Sequence, residues 1–139
     1  MSGRHVSLHV HLVWAVKDRA HVVEEPMREW LWPAIAEKAR ELGSTFVVVG
    51  GTSDHVHVLT DLPPSIAVAQ LVKRLKGASS RVAGLKMPGV LRWQAGYAAF
   101  PVSRSALNDV AAYVANQPHH HADGTVSTEF ELPASRAPA

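Results

Sequence analysis

The sequence predicts a single α+β domain, an antiparallel sheet of the ferredoxin-like, split β-α-β kind with helices on one face and a C-terminal helix carrying Tyr113. Three observations predict it. Stretches of period-two hydrophobicity alternate with stretches of helical periodicity in the order β-α-β-β-α-β, and one more helical stretch follows. At 139 residues the chain can bury roughly two-thirds of its unfolded surface in one core. It contains no cysteine, which excludes disulfides, thiolate metal sites and cysteine nucleophiles and suits a reducing compartment.

The elements follow in order. From Val6 to Val16 the even positions are Val6, Leu8, Val10, Leu12, Trp14 and Val16, with His5, Ser7, His9 and His11 between them. That is a half-buried strand with its histidines off the core face. A polar turn at Lys17-Asp18-Arg19 leads to a helix starting near Pro26, whose Met27, Trp30, Leu31, Ala34, Ile35 and Leu42 recur at helical spacing up to Gly43, its C-cap. Pro33 interrupts this helix and predicts a kink or restart near Trp32. Thr45 to Val49 and Asp54 to Asp61 read as a hairpin joined by a turn at Gly50-Gly51-Thr52-Ser53. Ser65 is placed to cap a second helix with an apolar stripe of Val68, Leu71, Val72, Leu75 and Val82. After Met87-Pro88-Gly89, Trp93 to Val102 predicts a fourth strand broken at Gly96. A last helix runs from Ser103 or Ser105 to about Gln117, and Pro118 stops it. The core therefore spans about 5–118, and 119–139 reads as an extension.

The net charge is only +2, but it is unevenly spread. No Asp or Glu occurs from Leu62 to Asn108, where Lys73, Arg74, Lys76, Arg81, Lys86, Arg92 and Arg104 supply half of the 14 basic residues. Such a one-sign segment favours a polyanionic partner over a merely solvated helix face. The N-terminal residues lack the apolar run of a signal peptide, and no stretch approaches the roughly 18 apolar residues of a membrane span, so the cytoplasm is the expected location.

Two segments carry candidate chemistry. His55-Val56-His57 places two imidazoles on one strand face, about 6.5–7 Å apart along the backbone. His9-Val10-His11 repeats the pattern on the first strand, where His11 reads as a solvated residue, a DNA contact or a support for a ligand histidine. Tyr113 and Gln117 are one helical turn apart and share a face. Taken alone, each of these reads more readily as packing or surface than as a site. Tyr97, without a glutamine at helical spacing, reads as packing, and His119-His120-His121 as a flexible segment or DNA contact.

Taken together, 11-His-Leu-Val-Trp-Ala-Val-Lys-Asp-Arg-19, Asp54-His55-Val56-His57, 72-Val-Lys-Arg-Leu-Lys-Gly-Ala-Ser-Ser-Arg-81, 93-Trp-Gln-Ala-Gly-Tyr-97 and 113-Tyr-Val-Ala-Asn-Gln-117 resemble the single-tyrosine HUH transposases. These are the enzymes of insertion sequences of the 200/605 group and their REP-associated relatives. The resemblance implies a transposase that cleaves and rejoins single-stranded DNA hairpins at element ends through a covalent 5′-phosphotyrosine. It implies Tyr113 as nucleophile, His55, His57 and Gln117 as ligands of a divalent cation, Mg or Mn, and Asp54 and His11 as possible supports for those ligands. With DNA as that polyanion, Lys73, Arg74, Lys76, Arg81, Lys86 and Arg92 of the acid-free segment read as DNA contacts. The protein would be a homodimer that can complete its sites in trans, cytoplasmic and nucleoid-associated, with no membrane and no nucleotide cofactor. Thr52-Ser53 departs from the Met-Pro often found before the Asp-His pair in relatives.

Two other classes compete. One is a catalytically inactive ferredoxin-like nucleic-acid-binding module, although the aromatic-rich strand of RNA-recognition motifs is missing. The other is a histidine phosphoesterase with two His-x-Ser/Thr motifs. His5-Val6-Ser7 would be one, but residue 57 is His where the second needs Ser or Thr.

Overall fold

The structure, a computed structural model, describes residues 8–117. Four antiparallel strands, β1 (His9–Ala15), β2 (Val47–Gly51), β3 (His55–Asp61) and β4 (Ala98–Val102), form one sheet in the order β2-β3-β1-β4. With α1 (Glu25–Glu41) joining β1 to β2 and α2 (Val68–Lys86) joining β3 to β4, this is the split β-α-β topology that the sequence predicts. α1 and α2 lie together on one face. Their Ile35, Ala39, Leu71, Val72 and Leu75 pack against Leu12 and Trp14 of β1 and Val56 and Val58 of β3, the period-two set of each strand. A satellite of Val16, Val23, Met27 and Leu31 extends this core under the chain that enters α1.

The opposite face is not solvated. α3 (Leu107–Ala115), entered through a short 3₁₀ turn (Arg104–Ala106), lies across β2 and β3. Its Val110 and Val114 pack with Leu59 and Val102, flanked by Phe46 and Val48. The histidine face of the strands is thus roofed by a helix, which strand alternation alone cannot reveal, because a period of two separates faces without saying what covers each. The approach is close: a Cβ on Gly50 would collide with the backbone carbonyl of Val114.

Other expectations shift for local reasons. α1 passes through Pro33 without a restart. Pro33 and Glu29 are both exposed, so this stretch of α1 lies on the outer side of the helix, where a proline is better tolerated. Gly50 and Gly51 belong to β2, and the hairpin loop is Thr52-Ser53-Asp54. Ser65 sits in a Pro63–Ile66 turn and does not cap; α2 begins after Ala67 with no side-chain cap. Ser103 caps the 3₁₀ turn before α3, accepting from the Ala106 amide at 3.3 Å, while α3 itself starts from Ala106 with no side-chain cap. Trp93 contributes only an isolated bridge to Val16; Gly96, at φ +91°, breaks the run before β4. Gly43, at φ +112°, closes α1 as expected. Among the described residues no helix is long and apolar enough to cross a membrane.

Candidate active site

Three histidines meet beneath α3. His55 and His57 project from the same face of β3, with ring centroids 5.0 Å apart and planes at 63°. In the β1–β3 ladder Val13 stands opposite His57, so His11, two residues earlier, is its diagonal neighbour on that face. His11 Nε2 lies 2.7 Å from His57 Nδ1, and the rings stack at 4.9 Å. All three are buried: His11 and His57 fully, and His55 to 2% exposure. The solvated reading of His11 is therefore corrected, the cause being the α3 roof.

Tyr113 comes down from α3 onto this cluster. Its ring is 6.0 Å from His57 and 6.5 Å from His11, edge-on to both, and it is 9% exposed. Gln117 is fully buried, and its Nε2 donates to the Tyr113 carbonyl at 3.1 Å. The i, i+4 spacing read from sequence thus takes the form of a side chain folded back on its own helix.

His55 is held from the opposite side. Its Nδ1 lies 2.7 Å from Asp54 Oδ1 and 3.0 Å from Thr52 Oγ1, and Thr52 donates to the same carboxylate oxygen at 3.1 Å. Arg19 Nε donates to Asp54 Oδ2 at 3.1 Å. Burial by itself would raise the Asp54 carboxyl. The His55 hydrogen bond and the Arg19 charge outweigh it and hold that carboxyl far below the usual carboxylate range. Arg19, at φ +54° beside Asp18 at +57°, is a contributor that the sequence did not single out. A left-handed pair in a polar turn is legible only as a turn, not as a guanidinium aimed back at the hairpin.

The donor chemistry fits a divalent cation. A ring whose Nδ1 is engaged meets a metal through Nε2, and an Asp–His contact of this kind commonly orients ligand histidines. Two imidazoles and one amide carry no charge of their own, however, and among the described residues no three His, Asp or Glu side chains are grouped for ligation. Further ligand positions would fall to hard oxygen donors such as phosphate and water.

The basic residues are elsewhere. Lys73, Arg74 and Arg81 line a groove between α1 and α2, shared with Glu37 and Glu41, on the helical layer across the sheet from the histidines. Lys86 lies over the Trp30 ring at 5.6 Å. Lys76 is tied down: its Nζ donates to the carbonyls of Gln94 and Gly96, each at 2.8 Å, and burial lowers its pKa. Arg92 is exposed, and its carbonyl accepts from the Lys17 amide at the end of β1. Tyr97, expected to be packing, is 41% exposed and flanks a shallow hollow with Ala69, Val72, Lys73 and Lys76. His5-Val6-Ser7 and His119-His120-His121 lie outside the described residues.

Comparisons with known proteins agree with one another. Residues 4–117 match the family described as "Transposase IS200 like". The chain is 29% identical over 117 residues to the ISDra2 transposase TnpA of Deinococcus radiodurans, covering 79% of this chain and 84% of that protein. A crystal structure of a candidate transposase from Deinococcus radiodurans R1 superposes with a TM-score of 0.68 at 28% identity, covering 84% of this chain and 95% of that one. A REP-associated tyrosine transposase bound to a REP hairpin superposes at 0.62 with 14% identity, over 87% of this chain and 74% of that one, a likeness of fold.

Proposed function

Because the chain belongs to the family of IS200-like transposases, we propose that it nicks and rejoins single-stranded DNA folded into hairpins, with Tyr113 as the nucleophile and a divalent cation, Mg or Mn, at His55, His57 and Gln117. The observation that carries this reading is the descent of Tyr113 onto the buried histidine face, with His57 6.0 Å away ring to ring. The hairpin-bound structural neighbour supports the substrate class. We further propose a homodimer working in the cytoplasm next to the nucleoid.

The cation, when bound, supplies Lewis-acid polarisation of a non-bridging phosphate oxygen. His55 and His57 would hold it through Nε2. Gln117, whose amide nitrogen is committed to its own helix, would offer Oε1. Tyr113 sits on α3, so docking of that helix fixes the phenol relative to the histidines and restricts water. In the chemical step a bond forms from Tyr113 Oη to phosphorus and the bond from phosphorus to the 3′ oxygen breaks. The phenolic proton leaves Tyr113 Oη as the new bond forms, and the leaving 3′ oxygen takes up a proton to become the 3′-hydroxyl. The phosphodiester energy stays in the phosphotyrosine, so a returning 3′-hydroxyl reseals the strand without a nucleotide. The exposed Lys73, Arg74 and Arg81 would hold the hairpin backbone across the sheet from the chemistry.

The test is formation of a denaturation-resistant protein–DNA adduct with a cognate hairpin and Mn(II). Tyr113→Phe abolishes it and Tyr97→Phe does not. An adduct on the Tyr113→Phe protein overturns the assignment.

A further inference from the structure

His11 and His57 share one proton. Both are fully buried, and the 2.7 Å between His11 Nε2 and His57 Nδ1 requires one nitrogen to donate and the other to accept. The two directions have opposite consequences. If His11 donates, a neutral His57 carries its own proton on Nε2 and has no lone pair there for a metal. If His57 donates from Nδ1, its Nε2 keeps the lone pair.

We infer that His57 donates and His11 accepts: His11 is a positioning residue that holds His57 in the Nδ1–H tautomer and so makes Nε2 the ligating atom. The neighbouring ring supplies the precedent within the same site. His55 Nδ1 lies 2.7 Å from an Asp54 oxygen, and an ionised carboxylate only accepts, so neutral His55 also has its proton on Nδ1 and its lone pair on Nε2. With the same tautomer on both rings, two Nε2 lone pairs project from one strand face, and ring centroids 5.0 Å apart suit a shared ion.

The difference between the two acceptors also has a physical reason. Asp54 stands at the edge of the cluster, where Arg19 compensates its charge. Position 11 is fully enclosed, and a carboxylate without a partner there would be costly to bury. A neutral imidazole does the same orienting work without adding charge. The inference, direction of the hydrogen bond included, rests on the metal reading above, and the spectrum of the metal-free protein tests that direction independently of metal binding.

The first experiment is two-bond ¹H–¹⁵N correlation spectroscopy of the labelled, metal-free protein at about pH 8, above the ordinary histidine range. The expected pattern for His57 is a protonated Nδ1 and an unprotonated Nε2; the reverse pattern overturns the inference. The second is Mn(II) binding followed by electron paramagnetic resonance in wild type, His11→Gln and His11→Phe. Gln returns an acceptor oxygen and should bind close to wild type, whereas Phe fills the space without an acceptor and should weaken binding about 10- to 100-fold. A Phe variant that binds like wild type, or a Gln variant as weak as Phe, overturns it. Should Phe fail to fold, judged by circular dichroism, the Gln variant and the wild-type spectrum still decide. A wild-type protein that takes up no Mn(II) defeats the metal reading, and the spectrum still rules on the tautomer.

Discussion

Gly50 decides whether the tyrosine helix can seat. A Cβ at this position would strike the carbonyl oxygen of Val114, stand 2.9 Å from its carbonyl carbon and lie 3.6 Å from the Ala115 Cα. All three atoms are backbone of α3 or its end, so no rotamer change relieves them. For Gly50→Ala the helix must withdraw by about 1–2 Å to restore ordinary carbon–oxygen separations. Overpacking of this kind costs about 1–3 kcal/mol. The helix is held by burial of Val110, Tyr113 and Val114, worth up to about 1.5–3 kcal/mol for each well-buried side chain. The substitution should therefore loosen α3 without unfolding the sheet, whose main core lies on the other face. Hydrogen exchange should show α3 amides losing about 2 kcal/mol of protection, roughly 30-fold in opening equilibrium, with β1 and β3 unchanged. Under the proposed function, adduct formation through Tyr113 should fall in parallel. Unchanged α3 protection would refute the idea that this close approach seats the helix.

Gly77 and Gly84 face open space in α2, so changing either to Ala should raise stability by about 0.5–1 kcal/mol in chemical denaturation. Lys76→Ala should loosen the 94–96 loop and lower stability by about 1–2 kcal/mol through its two lost carbonyl bonds. If Lys73 and Arg74 contact single-stranded DNA, each Ala variant should flatten the slope of log affinity against log salt by about 0.7. Lys76→Ala should leave that slope nearly unchanged. Asp61 accepts from the Thr45 and Phe46 amides and the Thr45 hydroxyl; burial opposes ionisation, but these bonds outweigh it and hold its carboxyl below the ordinary aspartate range. Its contribution is then complete above the unfolded value and lost as pH falls through the folded one, so acid unfolding curves of Asp61→Asn should be flatter below about pH 4; coincident curves would refute this.

What the sequence made legible was periodicity, and what it hid was contact between elements. Val10, Leu12 and Trp14 alternate so regularly that the core face of β1 could be read directly, and Val56 and Val58 gave β3 in the same way. The β-α-β-β-α-β order then left few topologies, and the sheet order follows. Pro33 did not restart α1, since it sits with Glu29 on the exposed side of the helix, and that exposure is a tertiary fact. Gly50 and Gly51 misled because the same residue type marks a turn or a close backbone approach. At Gly50 it is α3 that approaches, and at Gly51 it is β3 and Trp32.

The candidate site was legible to a similar limit. The His55 and His57 spacing and the Tyr113 and Gln117 register were visible as patterns that packing explains more readily, and their roles came from the resemblance to the transposase family; no spacing rule states that the two groups face each other. That needs α3 to cross the sheet toward β2, and its docking depends on apolar residues at Val110 and Val114 that would suit any amphipathic helix. The role of His11 was harder still. Position 11 pairs with Leu59, so its partner is a diagonal neighbour and not the residue opposite, and even the right strand pairing does not show that two imidazoles share a proton. The basic segment was legible as a charge pattern but not as geometry. Lys76 and Lys86 belong to the same run as Lys73 and Arg74, yet one is tied to backbone carbonyls and the other lies on an indole face. A run of like charge in sequence therefore overstates the cations that a polyanion can reach, and the salt slope measured variant by variant is the quantity that separates them.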